Sequence, residues 1–302
     1  MNTGLSAISI GPVAAEILAQ DGDADVAAVF ERSCYVMTTY GYIAIGGEAL
    51  GHGPLNVLLK AHLGPLDWIR LGVTREAKGA IAKGRLSIGE QCVVDVSGAA
   101  VWHPEPWPAP KRAAIAASLP AIRTLAAPLC PSEGLSRLVL EAKPERSDRT
   151  ARAAAPTVMQ LVQVLPGALR TGQAGADLVR PATLLLGLGP GLTPSGDDLL
   201  GGLFLALSAL GHTALRDALW EALAPELDLL TVGISGAHLA AAADGLGAET
   251  VHRALAAIVT NDNATLAGHL ATLRGIGHSS GFDTLAGIVL ALDAALATEM
   301  LE

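Results

Sequence analysis

Two regimes of hydrophobic and polar alternation divide the chain. Up to about residue 100, short alternating or β-branched runs are separated by glycine: Cys34–Thr39, Tyr42–Ile45, Asn56–Lys60, Trp68–Val73, Ala80–Ala82 and Gln91–Val96. Turn signals at Tyr40-Gly41, Gly46-Gly47, Gly51–Pro54 and Lys83-Gly84 punctuate them, which predicts a meander or small barrel. One helix is predicted ahead of it, near Pro12–Ala19, with Pro12 in its first turn. From Lys111 onward, apolar residues recur at helical spacing with almost no strand signal. Helices are predicted near 111–127, 132–141, 147–165, 175–187, 195–210, 213–223, 228–243, 248–259, 262–273 and 281–298.

Between the two regimes lies His103–Pro110, HPEPWPAP, whose four prolines in eight residues exclude regular structure. The expected class is therefore α+β: a β-rich N-terminal domain over residues 1–105, then a larger all-helical domain over residues 111–302.

Composition refines this picture. Apolar residues make up 51% of the 302 and aromatic residues only 3%, so the core must be built from Ala, Leu, Val and Ile. Small side chains then allow helices to approach closely. A net charge of −9 argues against a nucleic-acid partner, which needs a basic surface to replace phosphate counterions. The compact basic group Arg146, Arg149 and Arg152 is interleaved with Glu145 and Asp148, as on a solvated helix face. The longest apolar run, Leu199–Gly211, falls short of the roughly 20 residues that span a bilayer. The N-terminus lacks a basic segment of signal-peptide type, and Cys34, Cys92 and Cys130 form no CxxC pair. A cytoplasmic protein with reduced, buried thiols and no membrane partner is expected.

Two segments are candidates for chemistry. In Gly187-Leu-Gly-Pro-Gly-Leu-Thr-Pro-Ser-Gly-Asp-Asp198, the glycines at 187, 189, 191 and 196 uncover backbone N–H groups just before a helix. That combination suits a small anion such as phosphate or carboxylate. The GK[ST] ending of a phosphate-binding P-loop is absent, and no βαβ pattern surrounds the glycines. Ser195 with Asp198, and Ser280 with Asp283, also fit a capping box with Asp in place of Glu. The second segment is Gly275-Ile-Gly-His-Ser-Ser-Gly-Phe-Asp283, where His278 could donate to an anion or move a proton.

Ser195–Leu207 and Ser280–Leu292 align without gaps at an offset of 85, with eight of 13 positions identical. In an Ala/Leu-rich chain the informative part is Ser-Gly-x-Asp and the later Gly. If this is a structural repeat, the two helix starts converge. A weaker segment, Thr231–His238, places Thr231 and Ser235 on one helical face, where small residues also permit tight packing. No residue set has structural-zinc spacing, and no GxSxG or Cys/His nucleophile pattern is present.

These residues give catalytic candidates His278 and Asp197. The ligand-binding candidates are Gly189, Gly191, Thr193, Ser195, Gly196, Ser279, Ser280, Gly281 and Arg274. Asp197 and Asp198 would repel a phosphate unless a divalent cation such as Mg2+ stood between them, which makes them the metal candidates. Arg180 and Arg274 lie nearest the two segments as carboxylate clamps.

GLGPGLTPSGDDLLGGL and GIGHSSGFDTLAGI resemble the two signature segments of a bacterial family whose named branch is the AllH-type subunit of oxamate carbamoyltransferase. Phe30-Glu-Arg-Ser-Cys-Tyr, the Gly53-Pro54 turn and Asp95-Val-Ser-Gly-Ala-Ala-Val-Trp102 fall where that family has similar features. The resemblance implies carbamoyl transfer between oxamate nitrogen and phosphate in purine and allantoin catabolism, in a complex with FdrA-like subunits. It assigns no catalytic residue. Three readings follow: an anion-binding subunit of a carbamoyltransferase complex, a stand-alone metal-assisted hydrolase or transferase, and a non-catalytic assembly subunit.

Overall fold

A computed structural model describes residues 3–60, 65–141 and 148–298. The chain divides into two compact units, Met1–Pro104 and Glu105–Glu302. Arg146 and Glu145 of the interleaved charge group, and residue 147 where a helix was expected to begin, lie outside the described residues.

The first unit holds strands β1 (Thr3–Ile10), β2 (Gly22–Val29), β3 (Ser33–Thr38), β4 (Gly41–Gly47) and β5 (Asn56–Leu59). It continues with β6 (Lys78–Ala82), β7 (Arg85–Ile88), β8 (Cys92–Asp95) and β9 (Ala100–Val101). The sheet runs β5-β4-β3-β2-β6-β7-β8-β1, and antiparallel pairing of Ala7 with Leu59 and Ile10 with Val57 closes it into a barrel-like ring. The short β9 extends the sheet beside β1. Alternation along the strands fills the interior: Val26, Cys34, Val36, Ile43, Ile45, Val57, Ile81, Leu86, Ile88 and Val94 are all buried. Helix α1 (Pro12–Leu18) contributes Ala14, Ile17 and Leu18 to the same core.

Trp68–Val73, expected as a strand, is instead the end of helix α2 (Pro65–Arg70) and a turn. Trp68, Leu71 and Val73 are buried at spacings that serve a helix followed by a turn as well as a strand, and a short apolar run does not separate the two. The Gly51–Pro54 turn receives the start of α1, since Ala14 N donates to Pro54 O at 3.0 Å. His52 stacks on Trp102 and meets Ser9 Oγ at 3.2 Å through Nδ1. All three cysteines are buried and unbridged.

The second unit is helical, and His103–Pro110 ahead of it has no regular structure, as four prolines require. Its helices are α3 (Arg112–Ala126), α4 (Ser136–Leu140), α5 (Arg149–Thr171), α6 (Ala176–Leu185), α7 (Ser195–Ala209), α8 (Thr213–Leu223), α9 (Leu227–Leu230), α10 (Gly233–Ala243), α11 (Glu249–Thr260), α12 (Asn263–Leu273) and α13 (Ser280–Leu296). The class is α+β, with the β part first. Helix 228–243 is broken into α9 and α10 at Thr231-Val232, and helix 132–141 shrinks to α4. Among the described residues no helix is long and apolar enough to cross a membrane.

Helices α7 and α13 are apolar around most of their circumference and lie at the centre, as such helices must. Leu199, Leu203, Phe204 and Leu207 of α7 and Leu285, Ile288, Val289 and Leu292 of α13 are fully buried. The amphipathic α3, α5 and α11 present their apolar faces to the same core.

Candidate functional site

Both candidate segments are corners between two helices, built alike. The first follows Leu185 at the end of α6. Gly187 turns the chain at φ +68°, and Gly196 N donates back to Leu188 O at 2.9 Å. A Cβ at Gly196 would overlap the carbonyl oxygen of Leu185. The second follows Leu273 at the end of α12. Gly281 N donates back to Ile276 O at 3.2 Å, and a Cβ at Gly281 would overlap Leu273 O. The Gly of each Ser-Gly pair is thus the point where the new helix crosses the end of the old one.

The two corners meet. Thr193 Oγ1 lies 2.9 Å from Ser280 Oγ, and Ser195 Oγ lies 3.5 Å from Ser279 Oγ. The acids cross over. Hydroxyls of Ser280 and Thr193 lie toward Asp198 and favour its charged form, whereas those of Ser279 and Ser195 do the same for Asp283. Each Ser-Gly-x-Asp motif therefore lends its serine to the other motif's aspartate. The capping-box expectation is corrected accordingly. Pro194 and Ser279 occupy the N-cap positions, and neither helix has a side-chain cap.

Asp283 has no exposed surface and accepts Leu135 N at 2.7 Å and Ser136 N at 2.9 Å, both on Oδ1. Its Oδ2, and Oδ2 of Asp198, are buried without a hydrogen-bond partner. Burial pushes the Asp283 carboxyl up to about 6, against the pull of the Ser279 and Ser195 hydroxyls and the two backbone N–H groups. Burial also drives Asp198 well above the ordinary carboxylate range, reinforced by the charges of Asp283 and Asp197.

Asp197 and Asp198 lie in different surroundings. Asp197, a catalytic and metal candidate in the sequence, is enclosed. Its Oδ1 accepts Gly187 N at 2.8 Å, and its Oδ2 accepts Ser235 Oγ at 2.6 Å and Thr231 Oγ1. It ties the turn after α6 to the start of α10, and Thr231 and Ser235 acquire a duty beyond tight packing. Asp198, expected to cap, makes no cap and carries one of the two unsatisfied oxygens.

His278 and Arg274 stand outside the junction. The His278 side chain is 75% exposed, with Nε2 3.1 Å from Glu133 Oε2. Exposed Arg274 donates from Nη1 to His278 O at 3.3 Å. Gly191 is exposed with φ +97°, and Gly189, φ +128°, packs against Ser195. Two of the four glycine N–H groups, at 187 and 196, bond within the corner. Among the described residues no group of three or more His, Cys, Asp or Glu side chains is arranged to hold a metal.

The segment Glu133–Ser136 is the part of the site that sequence reasoning missed. Gly134 lies directly over the Asp283 carboxylate at φ +88°, and the two N–H groups that follow bind it. Its trace in the sequence is the run Ser132-Glu133-Gly134, which falls inside the helix expected over 132–141.

Residues 185–292 match the family model of the oxamate carbamoyltransferase subunit AllH. This is the family that the two Gly-rich segments resemble. The match opens at the last residue of α6 and closes inside α13, so it contains both corners and both Ser-Gly-x-Asp motifs while covering somewhat over a third of the chain. No solved structure matches the chain.

Proposed function

We propose that this protein is the AllH-type subunit of a carbamoyltransferase complex, and that the junction of the α7 and α13 corners takes up a small carboxylate or carbamoyl phosphate. The observation that carries this reading is that the AllH match over residues 185–292 coincides with the two crossed helix starts. In the reaction, oxalurate and phosphate give oxamate and carbamoyl phosphate. The bond from the carbamoyl carbon to the oxamate nitrogen breaks, a bond to a phosphate oxygen forms, and the nitrogen gains the proton that phosphate loses.

Such substrates are small anions rich in oxygen, and transfer builds charge on a carbonyl oxygen that fixed donors stabilise. Hydroxyls of Thr193, Ser195, Ser279 and Ser280 gather at the positive ends of two helices and supply such donors. Gly189, Gly191, Gly196 and Gly281 shape the corners around them. His278, Arg274 and Glu133 lie on the adjoining surface, where a partner subunit of FdrA-like type would complete the site.

Calorimetric titration with phosphate, sulfate, oxamate and oxalurate tests the proposal, on the protein alone and mixed with an FdrA-like partner. Binding that needs the partner supports the subunit reading. Turnover by the isolated chain would replace it with a stand-alone enzyme, and absence of binding in every mixture would remove it.

A further inference from the structure

Three carboxylates converge at the centre of the helical unit, and among the described residues none of them forms a salt bridge. Asp197 and Asp283 are buried, and the Asp198 carboxylate is enclosed at Oδ2. The charges felt by Asp198 are those of Asp283 and Asp197. Arg137, in the segment that covers Asp283, is committed to Glu141 Oε1 and to the carbonyls of Pro131 and Cys130. Asp197 has its three hydrogen-bond donors. Asp198 and Asp283 each keep one buried oxygen without any. Buried charges in proteins are paired or coordinate metals, because leaving a carboxylate oxygen dry and unanswered is costly.

The hydroxyls of Thr193, Ser195, Ser279 and Ser280 lie about these two acids. Carboxylate and hydroxyl oxygens are the donor set of hard cations such as Mg2+ and Mn2+. Two carboxylates balance one divalent charge. Asp198 is half-buried as a residue. We propose that Asp198 and Asp283 hold a hard divalent cation between their free Oδ2 atoms, with the hydroxyls of Thr193, Ser195, Ser279 and Ser280 completing its oxygen shell. The site contains only two of the acids, so it falls below a three-acid metal cluster, and Asp197 is not a ligand. This inference deepens the reading of the same junction as an anion site. A cation held there would cancel the repulsion that two acids exert on an incoming carboxylate or phosphate.

Manganese provides the probe. Metal-stripped full-length protein is titrated with Mn2+ and followed by electron paramagnetic resonance, with Mg2+ as competitor and no anion present. One Mn2+ per chain is expected, displaced by Mg2+. Asp283→Asn and Asp198→Asn should each weaken it at least tenfold, and Asp228→Asn, on exposed α9, should leave it unchanged. Circular dichroism reports whether each variant folds. Should the acid variants not fold, Thr193→Val tests the same shell through a hydroxyl and should weaken Mn2+ several-fold. Absence of stoichiometric Mn2+ binding by the wild type would overturn the proposal whatever the variants do, as would folded Asp283→Asn and Asp198→Asn variants that bind like wild type. Because no anion enters this titration, its failure is separate from failure of the anion reading, which is scored by oxamate and phosphate binding in the presence and in the absence of Mg2+.

Discussion

Gly202 of α7 lies directly against the carbonyl group of Thr284 in α13, and Gly287 of α13 lies in the same way against Leu199 of α7. Both pairs are related by the offset of 85 that relates the Ser-Gly-x-Asp motifs. The two helices cross with their backbones in contact, and this crossing brings the corners near enough for their serines to change partners.

A methyl group at either glycine therefore has to push the helices apart. Gly202→Ala and Gly287→Ala should each destabilise the fold by about 1–3 kcal/mol or more, although alanine is the better helix former, because the obstacle is backbone and cannot rotate away. Urea denaturation measures this. The double variant should cost less than the two singles together, since one separation relieves both overlaps. Additive losses would mean that the crossing is not shared.

The exchange of serines makes a prediction that a capping box does not. In double-mutant cycles, Ser195→Ala should couple to Asp283→Asn, and Ser280→Ala to Asp198→Asn, by roughly 0.5–3 kcal/mol. Within one motif, Ser195 with Asp198 and Ser280 with Asp283, the coupling should be smaller. Chemical denaturation of metal-free protein gives all four cycles. The opposite ordering would restore the capping arrangement.

The periodicity of the chain carried the class and most elements, because amphipathic stretches such as α5 and α11 repeat at helical spacing, and the apolar α7 and α13 are too long for strands. It misread Trp68–Val73, where three buried residues in six positions suit either structure. The offset of 85 brought the two helix starts together, as the Thr193–Ser280 and Ser195–Ser279 contacts show. What the sequence could not tell was which acid faces which hydroxyl. Asp197 and Asp198 are adjacent, yet one helical step of about 100° turns Asp197 toward Thr231 and Ser235 and Asp198 toward Ser280. The cover of Glu133–Ser136 on Asp283 spans nearly 150 residues and leaves no local pattern.

Asp197→Ala should be among the most damaging polar substitutions in the protein. It leaves Gly187 N and the Thr231 and Ser235 hydroxyls without their acceptor, and hydrogen bonds to a charged group are worth about 1.5–3 kcal/mol each before relaxation. A loss of about 3–5 kcal/mol in urea is expected, with proteolysis beginning near Leu229–Val232. Unchanged stability with loss of ligand binding would return Asp197 to the role that the sequence alone suggested for it.

His252 supplies a pH dependence of known sign. Burial depresses its imidazole to about 4, its Nε2 accepts Gly247 N at 3.0 Å, and Trp107 stacks on the ring. Protonation would turn that acceptor into a donor facing a donor. The unfolded chain binds the proton at its ordinary value near 6.5, so the folded state gives up stability as pH falls from there toward about 4. Other groups titrate in the same range, and a comparison with His252→Gln removes them. Wild type should exceed the variant by a constant margin above pH 7. Below 6.5 that margin should shrink by up to about 1.4 kcal/mol for each pH unit. Urea midpoints measured from pH 4 to 8 on both proteins test it. A margin that stays level, or widens in acid, would show that the imidazole takes up its proton without leaving its place beside Trp107.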